Sequence, residues 1–395
     1  MIKRIKIDLL MFTNSFLTVQ DIADEAAVRL RANEVMTALV SRNFDSKIAD
    51  KGDTVQIKVP NTFSANDFST TITAQDITEG KRLLTFDTIK DVSVDITSKE
   101  KTLNINDFSE QVINPAMEAL AAKVDVDLIE KYKEIPYFTG ASGSTPDALS
   151  DFANASKILN GNKAPVNGEK AGVWDEEAIA KFQILDALVG ADKSGTTETL
   201  RMGELGRVFN INNYLDQNVA LHTAGLYSAL EDAKAVVTVA NNGVIAATNT
   251  PYSAMVLTST AGASTATLLK GDLIVQETNQ YTVLEDTAAA ASGVVTAKVY
   301  PALAANLAST AVTFPDVSAK AHTANLVFAK KAFVLGVRPM STDVAGVESA
   351  VASIDGLSVR VTRGYSMSTK TETISFDILY GILTLQPELA CRVLG

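Results

Sequence analysis

Few of the side chains able to do chemistry in this sequence are spaced to do it. The 395 residues include one cysteine, Cys391, and two histidines, His222 and His322. A single thiol excludes an intrachain disulfide and a cysteine-cluster zinc site, and two histidines are too few for a histidine-rich metal centre. Cys391 lies in the apolar stretch Leu389-Ala-Cys-Arg-Val-Leu394 and reads as a small core residue, not a nucleophile. The histidines fall at the two ends of an Ala- and Thr-rich segment, where the chain could bring them together. Without an evident carboxylate or cysteine partner they read as junction packing. Asp125-x-Asp127-x-x-Glu130 offers three carboxylates, but Asp125 and Asp127 project about 200° apart on a helix, so a solvated face is expected instead of a cation site.

Phosphate chemistry fares no better. Gly190-Ala-Asp-Lys193-Ser-Gly195 has its lysine ahead of the second glycine, where a phosphate loop needs it behind, and reads as a plain loop. Gly203-Glu-Leu-Gly206 lacks the rest of a dinucleotide fingerprint and reads as a tight turn. Asn154-Ala-Ser156 matches a glycosylation acceptor, which matters only in a secretory route. The sequence therefore offers no catalytic, cofactor-binding or metal-ligating set, and an enzyme is not expected.

Composition sets the wider bounds. At 46% hydrophobic and 21% charged the chain is expected to fold, and its length suits two to three domains. The net charge of −11 opposes a tight grip on a phosphate backbone. No apolar run approaches a membrane span. The opening Met1-Ile-Lys-Arg-Ile-Lys and Leu9-Leu10-Met11-Phe12 mimic a signal peptide, but Asp8 interrupts the apolar stretch, so secretion is not expected.

The elements that would position these residues follow from periodicity. Residues 18 to 40 predict two short helices or one kinked helix, with Ile22, Ala26 and Leu30 on one face and Asn33 breaking the stripe. Val55, Ile57 and Val59 alternate with polar residues as a strand, and Asp91–Thr97 alternates as its return leg across a Thr- and Ser-rich stretch. Such an extended hairpin has little core and needs cover from another surface. The strongest helical pattern follows at residues 106–132, where Met117, Leu120, Val124 and Leu128 share a face. Pro115 either opens this helix behind an Asn114 cap or kinks a longer one. Another helix is expected over Asp175–Val189, with Ile179, Phe182, Leu185 and Val189 inward. From about residue 225 to 323, Leu273–Gln276, Tyr281–Leu284 and Val294–Tyr300 predict a small all-β domain. Later strands at Leu326–Ala329, Phe333–Leu335, Leu357–Thr362 and Ile374–Leu385 must pair with earlier ones, which makes the β-rich segment an insertion. Protruding parts that cannot bury themselves imply partners that bury them, so the residues alone point to subunit assembly.

Several stretches together resemble the major capsid (coat) proteins of tailed bacteriophages with the Hong Kong 97-like fold, in the short-tailed phage group with an inserted domain. They are Lys51-Gly-Asp-Thr-Val-Gln-Ile-Lys-Val-Pro60, Gln75-Asp-Ile-Thr-Glu-Gly80, Thr97–Glu110, Asn114-Pro-Ala-Met-Glu-Ala-Leu120, Asp216-Gln-Asn-Val219, His222-Thr-Ala-Gly225, Leu379-Tyr-Gly381 and Gln386-Pro-Glu-Leu-Ala-Cys391. They span most of the chain, in the family's order and spacing. The resemblance implies an α+β Hong Kong 97-like capsid fold: an N-arm (1–50), an E-loop (51–98), a P-domain with a long spine helix (99–145), the first part of an A-domain (146–224), an inserted small all-β domain (225–323), and closing strands of the A- and P-domains (324–395). The insertion matches the family least, and Met11 would be the more usual beginning.

The implied function is a structural protein, without cofactors, that self-assembles into hexamers and pentamers of an icosahedral procapsid. Its implied partners are a scaffolding protein, a portal protein and packaged double-stranded DNA held without sequence-specific binding, and no membrane. Assembly would take place in the host cytoplasm and the product would be the virion capsid. On the E-loop, Glu79, Lys81 and Arg82 are expected as subunit contacts. Two other classes remain at this point: a bacterial encapsulating shell of the same fold, and a secreted surface-layer or adhesin protein.

Overall fold

The computed structural model describes residues 19–33, 35–42, 54–59, 65, 67, 80–97, 112–166, 168–190, 199, 202–226, 234–238, 252–258, 267–287, 294–302, 310–316, 320–343, 346–354 and 356–395. Its helices are α1 (Val19–Asn33), α2 (Met36–Leu39), α3 (Asn114–Ile129), α4 (Leu149–Gly161), α5 (Glu176–Gln183) and α6 (Asp186–Val189). The strands begin with β1 (Thr54–Val59), β2 (Gly80–Thr85), β3 (Thr88–Thr97), β4 (Phe138–Gly140), β5 (Lys170–Trp174), β6 (Arg207–Val208), β7 (Ile211–Leu215) and β8 (Leu221–Thr223). Next come β9 (Lys234–Thr238), β10 (Ser253–Thr258), β11 (Leu273–Gln276), β12 (Asn279–Val283), β13 (Val294–Tyr300) and β14 (Thr310–Thr313). The last are β15 (Ala321–Ala329), β16 (Phe333–Arg338), β17 (Glu348–Ile354), β18 (Leu357–Ser366), β19 (Thr371–Thr384) and β20 (Ala390–Leu394). No helix among the described residues is long and apolar enough to cross a membrane.

The chain divides into two units, Met1–Asn33 with Thr88–Ala121 and Val337–Leu379, and Glu34–Asp87 with Ala122–Gly336 and Tyr380–Gly395. In the first, α1 packs on β17 and β18. Its inward face is Val19, Ile22, Ala23, Ala26, Ala27 and Leu30, all buried. Alanine at half of these positions lets the helix axis approach the sheet closely. β17, β18 and β19 pair in order and antiparallel, and β3 adds to β19. The Arg360 guanidinium donates to Asp377 Oδ2 across β18 and β19 at 2.6 and 3.0 Å.

Two sheets make up most of the second unit. One runs β4-β20-β15-β5-β7-β6, with β8 added on β15. Its core includes Trp174, Phe152 and Phe182, whose rings meet at 4.4 to 5.0 Å between centroids. The other is a closed barrel, β10-β13-β12-β11-β14-β9. Met255, Leu257, Leu268, Ile274, Tyr281, Val283, Val295, Ala297, Val299 and Val312 fill it. Closure leaves such small strands no open edge. The barrel strands β11, β12 and β13 coincide with the expected ones, while β9, β10 and β14 carried no signal read from the sequence.

Three expectations change. β1 pairs with β2, from Thr54↔Thr85 to Val59↔Gly80, and not with Asp91–Thr97, which belongs to β3 on another sheet. Alternation identifies a strand without naming its partner. The segment expected as one helix over Asp175–Val189 is broken between α5 and α6, so Leu188 and not Leu185 is buried. In α3 the expected face of Met117, Leu120, Val124 and Leu128 is buried, but so is Asp125 at 1% exposure. Asp125 is therefore no solvated carboxylate. Its oxygens accept from the Val35 and Met36 amides at 3.0 and 3.1 Å, at the start of α2.

Candidate functional site

The densest polar constellation lies where the barrel leaves the sheet. β8 enters the barrel segment and β15 leaves it, and the two pair antiparallel with His222 opposite His322. The histidines at the ends of the Ala- and Thr-rich segment thus become neighbours, their ring centroids 5.3 Å apart. Two carboxylates from the barrel segment complete the group. Asp272 follows the turn at Gly271, whose φ of 105° and close approach to Lys133 and His222 leave no room for a side chain. Asp316 follows β14. The acidic partners missing from the sequence reading are therefore present, brought in by the closure of the barrel.

All four groups are buried, between 0% and 4% exposed. His222 Nε2 lies 3.0 Å from Asp272 Oδ1, and its Nδ1 lies 2.8 Å from the Tyr132 hydroxyl. The Asp272 carboxylate also accepts from the amides of Gly225 and Leu269. Asp316 accepts from the Leu273 amide at 3.4 Å through Oδ2, while Oδ1 has no hydrogen-bond partner and stands 3.6 Å from His322 Nε2. Burial raises the Asp316 carboxyl to about 6, against the lowering effect of Arg392. Burial, with help from the charges of His222 and Arg392, pushes His322 down to about 4.

Arg392 of β20 runs beneath this group, fully buried. Its Nε donates to the Ile135 carbonyl at 2.8 Å, Nη1 to the Gly271 carbonyl at 2.6 Å and Nη2 to Thr282 Oγ1 at 2.7 Å. It joins three parts of the chain: the segment after α3, the Gly271 turn and β12. Burial lowers its pKa to about 10, and the nearby carboxylates restrain the fall. Further polar contacts bind the barrel to its base: Thr282 Oγ1 donates to the Lys133 carbonyl at 3.0 Å and the Tyr300 hydroxyl to Glu388 at 2.7 Å. Chemically the arrangement is a satisfied polar bracket with one under-satisfied pair, Asp316 and His322.

Cys391 beside it is buried, with its thiol pushed up by burial, the reverse of an activated nucleophile. Gly203 and Gly206 both take positive φ in a loop, as a turn requires. The segment Gly190–Gly195 lies, after Gly190, outside the described residues.

Two of the three expected contact residues, Lys81 and Arg82, sit on the β1–β2 ribbon, which forms a two-stranded sheet of its own. Ile57 and Leu84 are buried on its inner face. Arg82, opposite Ile57, is 8% exposed and donates through Nη1 to the Thr384 carbonyl at 2.8 Å. Its guanidinium anchors the ribbon to β19 within this chain. Lys81 points outward, directly opposite Lys58. Glu79 lies outside the described residues. Nothing in the spacing distinguished the inward Arg82 from the outward Lys81 except the alternation itself.

Comparison with known proteins adds an independent view. Residues 274–395, from within the barrel to the last residue, match the family model of the P22 coat protein, gene protein 5. No curated protein matches the chain. A solved structure from Mycobacterium phage Che8 superposes with a TM-score of 0.51 at 14% identity, covering 91% of this chain and 90% of that one. The capsid of cyanophage P-SCSP1u aligns at a TM-score of 0.47 and 12% identity over 98% of this chain and 90% of the other. The asymmetric unit of the bacteriophage PhiM1 mature capsid does so at 0.47 and 11%, over 100% and 90%. The architecture is the Hong Kong 97-like capsid fold.

Proposed function

We infer that the chain is the major capsid protein of a tailed phage, a structural subunit and not a catalyst, whose copies close into the icosahedral shell of the virion. The observation that carries this is the coat-family match of residues 274–395 on a chain with a capsid fold. A bacterial encapsulating shell shares the fold but not that family match, and a surface-layer or adhesin role does not follow from a capsid fold.

The parts then take roles. The β1–β2 ribbon is the E-loop, lying over a neighbouring subunit, with Lys81 and Glu79 as its contacts and Arg82 holding its base. Lys81, on the exposed face of the ribbon, presents a positive charge that a carboxylate of the neighbour would complement. An exposed ion pair contributes only about 0 to 1 kcal/mol, so such contacts set register more than affinity. α3 is the spine helix of the P-domain, and the barrel between β8 and β15 is the inserted domain. Tyr365 and Met367, 54% and 80% exposed around the β18–β19 turn, are further candidates for burial between subunits. Assembly proceeds in the host cytoplasm around a scaffolding protein, with a portal at one vertex and double-stranded DNA packaged afterwards.

Sedimentation velocity on the chain alone and with its candidate scaffold tests the reading. Large particles of uniform size are expected in at least one sample. A strictly monomeric species in both would remove self-assembly.

A further inference from the structure

The carboxylates at the base of the barrel have an unusual shortage of cations. Asp272 and Asp316 are buried, yet among the described residues no lysine or arginine nitrogen lies within 4.0 Å of either, and their close basic neighbours are His222 and His322. The buried guanidinium of Arg392 nearby donates to two carbonyls and a hydroxyl, not to a carboxylate. Three polar atoms in the group have no partner: Asp316 Oδ1, His322 Nδ1 and His322 Nε2. Leaving such atoms dry and unpaired is costly, and a cation that takes a lone pair from Asp316 Oδ1 removes that cost for the carboxylate.

The distances suit a metal ion. His222, Asp272 and Asp316 each offer one ligand atom, and these atoms all lie within 4.8 Å of one another. The 3.0 Å separation of His222 Nε2 from Asp272 Oδ1 is close to the roughly 3.3 Å spacing of ligands around a tetrahedral ion with 2.0–2.1 Å bonds. The second shell is also in place. Tyr132 meets His222 Nδ1, which fixes the ring and leaves Nε2 for a metal. A cavity of about 380 Å³, lined by Glu176, Glu177, Asp216 and His322, adjoins the group on the His322 side. Asp216 Oδ2 there is buried and unpartnered.

We propose that His222, Asp272 and Asp316 form a binding site for a divalent first-row cation of the zinc type. Imidazole and carboxylate donors select that class over calcium or magnesium, which prefer oxygen alone. On binding, the neutral His222 imidazole presents its Nε2 lone pair to the metal with its single proton on Nδ1, which donates to the Tyr132 oxygen; a proton resting on Nε2 beforehand moves to Nδ1, with no net release. The ion would tie β8 to the barrel through Asp272 and Asp316 and so brace the junction. This inference is independent of the assembly role.

The chain has only two histidines, so labelling histidine alone with ¹⁵N gives a readout specific to the site. The 395-residue chain, stripped with chelator and held at pH 7.5, is titrated with Zn²⁺ and followed by NMR and calorimetry. Movement of the His222 imidazole signals, complete at one equivalent, is the expected result. Asp316→Asn, checked for folding by circular dichroism, should weaken Zn²⁺ binding at least about tenfold. Imidazole signals that stay in place at saturating Zn²⁺ in the unaltered chain would overturn the proposal, whether or not the variant folds. Affinity unchanged in a folded Asp316→Asn chain would overturn it equally.

Discussion

Asp125 shows how a single carboxyl can report on packing. Burial raises it from the ordinary 3.8 to about 7, against the two amide bonds it accepts from Val35 and Met36. The folded chain thus holds this proton to a higher pH than the unfolded chain does. Its contribution to stability is full below about pH 4 and is lost as pH rises through about 7. Urea midpoints measured from pH 4 to 8 should fall less steeply for Asp125→Asn than for the unaltered chain. Equal slopes would show that Asp125 does not titrate differently in the two states. Asp125→Ala, which strands both amides, should cost about 1–3 kcal/mol at any pH in this range. At this scale the sequence was legible only where a pattern was local. Cys391 in its apolar run is buried as expected. The partners of His222 and His322 were not legible, because Asp272 stands 50 residues from His222 and no periodicity spans that distance. Arg392 carried no signal either, since one cation in an apolar strand looks like an exposed edge until three separate carbonyl and hydroxyl groups converge on it.

Elements were read better than their pairings. The helical face of α3 and the alternation of β1 follow from residue type at fixed spacing, and both are realised. The partner of β1 was misread because β2 is short and carries Lys81 and Arg82, a pattern less conspicuous than that of β3. What brings β2 beside β19 is visible only in three dimensions. A Cβ on Gly381 would stand 2.2 Å from the Thr85 carbonyl oxygen. Gly381→Ala must therefore push the end of the ribbon away from β19, and should destabilise the fold by about 1–3 kcal/mol in chemical denaturation. A variant as stable as the parent would mean the contact gives way freely. Deleting residues 62–78, which leaves β1 and β2, should spare a folded subunit by circular dichroism yet stop shell growth. Normal shells from that variant would show that the ribbon's reach is dispensable. The barrel illustrates the same limit: β9, β10 and β14 are rich in small and β-branched residues in Ala- and Thr-rich surroundings, and only ring closure picks them out.

For the molecule as a whole, charge and assembly belong together. A net charge of −11 suits a container whose contents must enter and leave, because it offers no general counterion-release grip on DNA. Fragments of double-stranded DNA should show no retention by the isolated subunit at about 150 mM salt, a condition under which basic binders lose affinity only in part. Tight retention with a steep salt dependence would assign the chain a DNA-gripping surface its composition does not suggest. One sequence occupying several slightly different environments in a closed shell needs hinged parts carried on firm ones. On the proposed reading the ribbon and the barrel would be parts of that kind, the one tied to β19 by the buried Arg82 and the other held at its base by the buried Arg392. The most direct test is an electron-microscopic reconstruction of particles assembled from the 395-residue chain, alone and with a candidate scaffold. Closed icosahedral shells with the β1–β2 ribbon laid over an adjacent subunit are the expected result. Monomers alone, or open aggregates in which the ribbon contacts only its own chain, would contradict the capsid assignment.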